Sequence, residues 1–221
     1  MERTAYSTFI FDFDLTLADS STGILISFKE TLAHYGYPLP DDRTIYNTIG
    51  MTVHDALCLL SGVPAHPLVD EMRAYYSRVS DGQMSANTFF YPDTARVLNG
   101  LKAAGAKTAI VSTKHRRRIT ESFAMKLPDA SVDLIVGGED VASAKPDPEG
   151  LNKAIALLCA DRTSVLYVGD SYIDAQTAQN ACVAFAAVTT GSTPTERFSA
   201  YPCVTVSPTL SGILTRLRIA I

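Results

Sequence analysis

The sequence predicts an α/β protein in which a parallel sheet is covered by helices, and three observations support this fold class. The 221-residue chain is 47% hydrophobic and 19% charged, which provides enough apolar material for a packed core. From about residue 106 onward, short apolar runs alternate with helix-like segments, as in repeated βα units. Polar residues follow several of the predicted strands, at the edge where parallel sheets bind their ligands.

The predicted elements of this alternating part follow one another in regular order. An aromatic and apolar run that begins at Phe9 predicts a first buried strand. Further strands are expected at 107–112, 132–136, 165–168, 184–188 and near 203–206. Helices are expected at about 116–126, 148–158, 173–181 and 210–218. Asp147 is placed to cap the helix that Pro148 opens.

Residues 21–88 interrupt the alternation. Apolar residues recur there at helical spacing in three segments, at 24–35, 53–60 and 69–79. Because this stretch of roughly 70 residues contains no predicted strand, we expect a small helical domain at 19–88. It would be inserted into a core domain formed by 1–18 and 89–221. The alternative is that these helices only extend the cover of the sheet.

Composition excludes several classes of function. A net charge of −4 argues against nucleic acid as the main partner. The chain has no run near the roughly 18 apolar residues of a membrane span, and residues 1–6 lack the layout of a signal peptide. The four cysteines are scattered without Cys-x-x-Cys spacing, which favours a reducing compartment. We therefore expect a cytoplasmic protein, either monomer or homodimer, that binds neither nucleic acid nor membrane.

Asp12 and Asp14 are the most informative pair of residues. Spacing of two places both carboxylates on the same side of the first strand. Two close, poorly hydrated negative charges are unfavourable unless a cation or a proton compensates them. A bound metal would do so and would leave one carboxylate free as a nucleophile. The alternative is a solvated strand end that carries two aspartates.

Three further polar clusters are expected at the same edge of the sheet. Ser112 and Thr113 follow a strand, where a hydroxyl and backbone N–H groups suit phosphate oxygens. Lys145 lies in a loop that neighbouring prolines stiffen, and Asp170 and Asp174 belong to a strand-to-helix turn. Separately, these residues are also typical of helix caps, ordinary loops and helix first turns. Their occurrence together at one edge favours a site.

The successive motifs Asp-Phe-Asp-Leu-Thr, Ile-Val-Ser-Thr, Lys-Pro-Asp-Pro and Gly-Asp-Ser-Tyr-Ile-Asp resemble those of the haloacid dehalogenase superfamily of hydrolases. More narrowly, they are similar to its phosphoglycolate phosphatase and β-phosphoglucomutase-like group. The resemblance covers nearly the whole chain. It implies a Rossmann-like parallel-sheet core with an inserted small α-helical cap, and a phosphatase that hydrolyses a small phosphorylated metabolite through an aspartyl-phosphate.

The resemblance also implies a role for each core residue. Asp12 would be the nucleophile, and Asp14 would protonate the leaving oxygen and then activate water. Ser112 would bind the phosphoryl group with the help of the Thr113 amide. Lys145 would neutralise negative charge on the nucleophile and the phosphoryl oxygens.

A magnesium ion is the implied cofactor, since an all-oxygen, carboxylate-rich site beside phosphate suits Mg²⁺. Its expected ligands are the Asp12 side chain, the Asp14 carbonyl and Asp170, with Asp174 contributing less directly. Thr16, in the first motif, is expected to contact the substrate.

In the cap, the segment 43–52 is interpreted as a polar turn that approaches the site, with Asn47 and Thr52 as substrate-binding candidates. A plain helix–helix turn is an equal alternative. The basic run 114–118 is either an anion-attracting rim or a solvated face.

Two rival functions stay open at this stage. Asp14 argues against dehalogenation. Family members that remove halide from carbon lack this second aspartate, because their reaction has no oxygen leaving group that needs a proton. Thr16 follows Leu15 where mutases of this group typically have Gly-Val, which favours hydrolysis over a β-phosphoglucomutase-like reaction. A catalytically silent regulator that binds phosphorylated metabolites is the non-enzymatic alternative, and the intact motifs argue against it.

Overall fold

A six-stranded parallel sheet forms the centre of the molecule, which we describe from a computed structural model covering residues 6–64 and 67–221. The strands are, in chain order, β1 (Thr8–Phe11), β2 (Ala18–Asp19), β3 (Phe89–Phe90), β4 (Lys107–Val111), β5 (Leu134–Val136), β6 (Val165–Gly169), β7 (Ala184–Val188) and β8 (Cys203–Ser207). The sheet order is β5-β4-β1-β6-β7-β8, and every neighbouring pair is parallel. The predicted fold class and the predicted strands are confirmed.

The helices lie between these strands. They are α1 (Ser21–His34), α2 (Asp42–Tyr46), α3 (Val53–Ser61), α4 (Pro67–Gln83), α5 (Thr94–Ala103), α6 (Arg116–Lys126), α7 (Glu149–Leu157), α8 (Tyr172–Asn180) and α9 (Leu210–Arg216). Asp147 Oδ1 accepts a hydrogen bond from the Glu149 N–H at 2.9 Å, so this carboxylate satisfies a donor in the first turn of α7.

Alternation of side chains along β1 divides the core into two layers. Phe9 and Phe11 face a cluster that includes α5, α6 and α9, whereas Ile10 faces the cluster on α7 and α8. All three side chains are buried. Strand β1 is therefore covered on both faces, which explains why its sequence is continuously apolar rather than alternating.

Helices α1–α4 pack around an apolar cluster of their own, which includes Phe28, Leu32, Leu57 and Met72. The chain enters this helical layer after β2 and leaves it before β3, and these two short strands pair with each other in antiparallel fashion. An inserted helical unit needs an apolar core of its own, and this cluster is such a core. The division at 19–88 stays a prediction. Residues 1–5 and 65–66 of the two predicted domains lie outside the described residues.

Two features of this layer were not predicted. Helix α2 occupies part of the segment 43–52 that was interpreted as a turn, and β2 and β3 connect the layer to the sheet. Among the described residues, no helix is both long and apolar enough to cross a membrane.

Candidate active site

Asp12 directly follows the central strand β1. Its backbone N–H donates to the Val168 carbonyl at 2.9 Å, so the β1–β6 ladder continues to the aspartate itself. The residue is only 2% exposed. No described residue donates a well-aligned hydrogen bond to Asp12 Oδ1, so the negative charge on this buried oxygen must be stabilised by nearby positive charges.

Lys145 supplies one of those charges. Its ammonium lies 2.9 Å from Asp12 Oδ1 and 2.6 Å from Asp174 Oδ1. Burial by itself favours the neutral amine, but the attraction of the two carboxylates outweighs burial and holds the pKa of Lys145 well above its ordinary value. The lysine is therefore a buried cation that links the nucleophile candidate to a second acid.

Asp174 is fully buried and held on both oxygens. Oδ1 accepts from the Tyr167 hydroxyl at 2.9 Å as well as from Lys145. Oδ2 accepts from the Ser171 hydroxyl at 2.5 Å and from its N–H at 3.2 Å, while Ser171 Oγ in turn caps the first turn of α8. This capping box orients the carboxylate. Asp174 is thus placed to position Lys145.

Asp170 completes a group of three carboxylates. One oxygen from each of Asp12, Asp170 and Asp174 lies within 4.8 Å of the others, and all three residues are buried. The Thr16 hydroxyl donates to Asp170 Oδ1 at 3.1 Å, so Thr16 contacts this carboxylate directly.

The charges in this group are not balanced by protein residues alone. Burial, with further contributions from the neighbouring carboxylates, raises the pKa of Asp12 to about 6 even though Lys145 opposes the change. The same causes raise the pKa of Asp170 well above its ordinary value. Three carboxylates and one ammonium leave an excess of negative charge, which a divalent cation would relieve.

Two glycines make room for the carboxylates. A Cβ on Gly191 would lie 1.8 Å from Asp170 Oδ2, and a Cβ on Gly169 would lie 2.5 Å from Asp174 Cγ. Gly191 is 21 residues from Asp170 in the sequence and belongs to no recognised motif, so sequence patterns alone do not reveal its role. Only the fold shows that this position must lack a side chain.

Asp14 lies apart from the three-carboxylate group. Its Oδ1 accepts from the Ser20 hydroxyl and, at 2.6 Å, from the Lys114 ammonium. Lys114 is itself buried, and its Nζ lies 5.5 Å from the centre of the Phe13 ring. The two predicted catalytic aspartates therefore each have their own lysine.

Ser112 and Thr113 follow β4, the strand beside β1. Ser112 is buried, and its Oγ accepts from the Lys114 N–H at 3.3 Å. Together with Lys145, both residues line a small cavity of about 20 Å³. The structure thus brings Ser112, Thr113 and Lys145 to a shared space at the carboxyl edge of the sheet.

The two cap candidates do not contact the acidic group. Asn47 is exposed and lines an outer depression with Leu59 and Leu60. The Thr52 hydroxyl caps α3 by accepting from the Asp55 N–H at 3.1 Å. Thr48, Ile49, Gly50 and Met51 line the cavity above Asp14 instead.

The basic run 114–118 fits neither sequence interpretation as a whole. Lys114 and Arg118 are buried, which contradicts a fully solvated face. Arg118 donates to Asp81 and to the Ser77 carbonyl, both at 3.0 Å, and joins α6 to α4. Arg116 pairs with an acid at 3.1 Å. Most cations of the run therefore pair with carboxylates of the protein and do not form a free rim that attracts anions.

Comparison with known proteins identifies similar molecules. The profile of the haloacid dehalogenase-like hydrolase family matches residues 9–188. The chain is 35% identical over 187 residues to a phosphoglycolate phosphatase of Rhodobacter capsulatus, covering 82% of this chain and 84% of that protein. It is 32% identical over 183 residues to the pyrophosphatase PpaX of Bacillus cereus, covering 82% of each chain.

A solved structure shows the same architecture. The crystal structure of a haloacid dehalogenase-like hydrolase from Bacteroides fragilis is 43% identical in sequence and matches with a TM-score of 0.92. The match covers 94% of this chain and 99% of that chain. The similarity therefore extends over both the sheet and the helical layer.

Proposed function

The chain belongs to the haloacid dehalogenase-like hydrolase family, and we propose that it is a Mg²⁺-dependent phosphatase that hydrolyses a small phosphate monoester through an aspartyl-phosphate on Asp12. The observation that carries this proposal is the convergence of Asp12, Lys145 and two further carboxylates at one edge of the sheet. A solvated strand end would not hold these charges together in a buried place.

In the first chemical step, an oxygen of Asp12 bonds to phosphorus while the bond from phosphorus to the leaving oxygen breaks. Lys145 lies 2.9 Å from Asp12, where its charge offsets the negative charge that collects on nucleophile and phosphoryl oxygens. In this proposal the Ser112 hydroxyl and the Thr113 amide hold the phosphoryl oxygens. Asp174 keeps the lysine in position through its own 2.6 Å contact.

Asp14 acts on protons in both steps. It gives a proton to the departing oxygen, and it then takes a proton from the water that attacks phosphorus and releases Asp12. Asp14 follows Asp12 by two residues but bonds to a different lysine, Lys114. The two aspartates therefore lie in different environments, as is expected of two carboxylates with different roles. Asp12, beside Lys145, is the nucleophile, and Asp14, beside Lys114, is the acid–base group.

The residues present fit a magnesium ion. Asp12 and Asp170 offer buried carboxylate oxygens whose pKa values are raised, first by burial and then by the neighbouring carboxylates, and Gly191 leaves Asp170 the space it occupies. The backbone carbonyl of Asp14 is the further expected ligand. When bound, the ion would polarise the phosphoryl group and neutralise the surrounding anions. Asp174 supports the site indirectly, because both its oxygens already bind protein donors.

Two substrates follow from the names of the relatives. Phosphoglycolate, a monoester, and pyrophosphate, a phosphoanhydride, are the compounds to which those names refer, and both are compact. The monoester is the class we propose, and pyrophosphate is the further compound to test. A β-phosphoglucomutase-like transfer is the alternative reaction, and release of inorganic phosphate rather than an isomeric sugar phosphate separates the two.

The test is a panel of phosphate compounds assayed for phosphate release with Mg²⁺ and with a chelator. We expect Asp12→Asn to abolish turnover while the protein stays folded, because an amide cannot act as the nucleophile. Asp129→Asn, at an exposed position, is the matched control and should retain wild-type activity. Appreciable turnover by a folded Asp12→Asn protein would refute the assigned nucleophile.

A further inference from the structure

Lys114 occupies an unusual place for a lysine. Its side chain is 5% exposed, and among residues 6–64 and 67–221 the ammonium has Asp14 as its only hydrogen-bond partner. Burying an ammonium is costly unless its donors are satisfied. An ammonium carries three donors, and the contact with Asp14 uses one of them.

The same lysine lines a small, partly open cavity of about 60 Å³ between the helical layer and the sheet. Asp14 and Lys114 both line it, and much of the remaining lining is apolar, including Phe28, Ile49, Tyr76 and Met84. The other buried cation at this cavity, Arg118, already donates to Asp81 and Ser77. Lys114 is therefore the cation with donors left for a ligand.

We propose that Lys114 binds a second anionic group on the leaving part of the substrate, so that the site selects compact phosphate compounds with a negative charge close to the bridging oxygen. The inference rests on the proposed function, because the role of Asp14 locates the leaving oxygen. An acid catalyst must lie within about 3 Å of that oxygen. Lys114 Nζ is 2.6 Å from Asp14 Oδ1, so an anion one or two bonds beyond the oxygen is within its reach.

The size of the cavity limits the leaving groups that the substrate can carry. A neighbouring cleft of about 580 Å³ shares Thr113, Tyr76 and Arg118 with it but is lined by neither Asp14 nor Lys114. A bulky leaving group such as a nucleoside would need that larger space, away from the lysine. A glycolate or a phosphate leaving group is small enough for the smaller cavity, and its negative charge is opposite to that of Lys114.

The experiment compares anionic and neutral leaving groups of the same shape. The matched substrates are phosphoglycolate and phosphoglycolamide, in which an amide replaces the carboxylate, and pyrophosphate is assayed as a second anionic substrate. The enzymes are wild type, Lys114→Met and the control Lys102→Met, a lysine at an exposed position that bonds to Ser131. The readout is kcat/KM for each substrate, with kcat and KM reported separately.

We expect wild type to prefer phosphoglycolate over phosphoglycolamide by at least about tenfold in kcat/KM, since a site built for a polar group discriminates strongly against analogues that lack it. Lys114→Met should remove this preference mainly through KM for the anionic substrate, and Lys102→Met should retain it. A purely structural ion pair would lower kcat/KM for both substrates equally and leave their ratio unchanged.

The outcomes separate the two proposals. Wild-type activity without an anionic preference, or a Lys114→Met protein with an unchanged ratio, would overturn the role of Lys114 while the phosphatase assignment stands. If Lys114→Met does not fold, Lys114→Gln takes its place, and an unchanged ratio in that variant would overturn the role of Lys114. A wild-type protein inert on every compound, with Mg²⁺ present, would overturn both.

Discussion

Replacing Gly191 with alanine tests whether the position of Asp170 matters for metal binding. The new Cβ would lie 1.8 Å from Asp170 Oδ2, 2.7 Å from its Cγ and 2.9 Å from its Cβ. Rotating the carboxylate cannot relieve the contact with the Asp170 Cβ, so the whole side chain must move. Ordinary contacts are about 3.5 Å, so the Asp170 Cβ must move by about 0.6 Å and its Oδ2 by about 1.7 Å.

That displacement is large compared with the tolerance of a magnesium site, whose ligand distances hold to within about 0.2 Å. Loss of a well-placed partner typically lowers metal affinity by about 10–100-fold. With Mg²⁺ at about 100 times the wild-type dissociation constant, its stabilisation of the fold would fall from about 2.7 to about 0.4 kcal/mol after a 100-fold loss. For a chain of this size, the Mg²⁺-induced rise in Tm would fall from roughly 5–10 °C to about 1 °C.

The assay is thermal unfolding with and without Mg²⁺, followed by phosphate release. Gly82→Ala is the matched control, because no atom lies within 4 Å of its added Cβ and the residue is in helix α4. It should keep the full Mg²⁺ response and gain about 0.5–1 kcal/mol in stability. A Gly191→Ala protein with the wild-type Mg²⁺ shift would refute the reasoning.

Three more perturbations have defined outcomes. Because burial raises the pKa of Asp12 to about 6, the metal-free protein holds a proton on this carboxylate below that pH, and Mg²⁺ must displace the proton to bind. The Mg²⁺-induced rise in Tm should therefore become smaller as the pH is lowered from about 8 to about 5. A rise that is the same at both pH values would contradict this. Asp81→Ala removes the carboxylate that pairs with Arg118 at 3.0 Å and should cost about 1–3 kcal/mol in urea unfolding, whereas a loss below about 0.5 would show that the pair contributes little. Tyr167→Phe removes the 2.9 Å hydrogen bond to Asp174 and should lower kcat by about tenfold with KM nearly unchanged; an unaffected kcat would separate this bond from catalysis.

The main elements of the fold follow from local sequence patterns. The apolar runs of β1, β6 and β7 bury both faces, and such runs are recognisable without tertiary information. Helix α2 and strands β2 and β3 escaped prediction because they are five and two residues long, too short to show a periodicity. Their structure depends on contacts with the rest of the protein.

The site divides in a similar way. The convergence of Asp12, Lys145, Asp170 and Asp174 was predictable, because parallel strands bring their carboxyl ends to one edge. The partnership of Lys114 with Asp14 was not, since 100 residues separate them and the lysine begins a run that also suits a surface. Spacing along an element indicates which face a side chain occupies, but it does not identify a partner from another element.

The central claim, a covalent aspartyl-phosphate on Asp12, is tested most directly by the stereochemistry at phosphorus. The substrate found in the panel would be prepared as a phosphorothioate, made chiral at phosphorus with oxygen isotopes and hydrolysed by the wild-type enzyme in isotopically labelled water. Two successive in-line displacements, first by Asp12 and then by water, predict net retention of configuration. Net inversion would show that water attacks the substrate directly and would contradict the account.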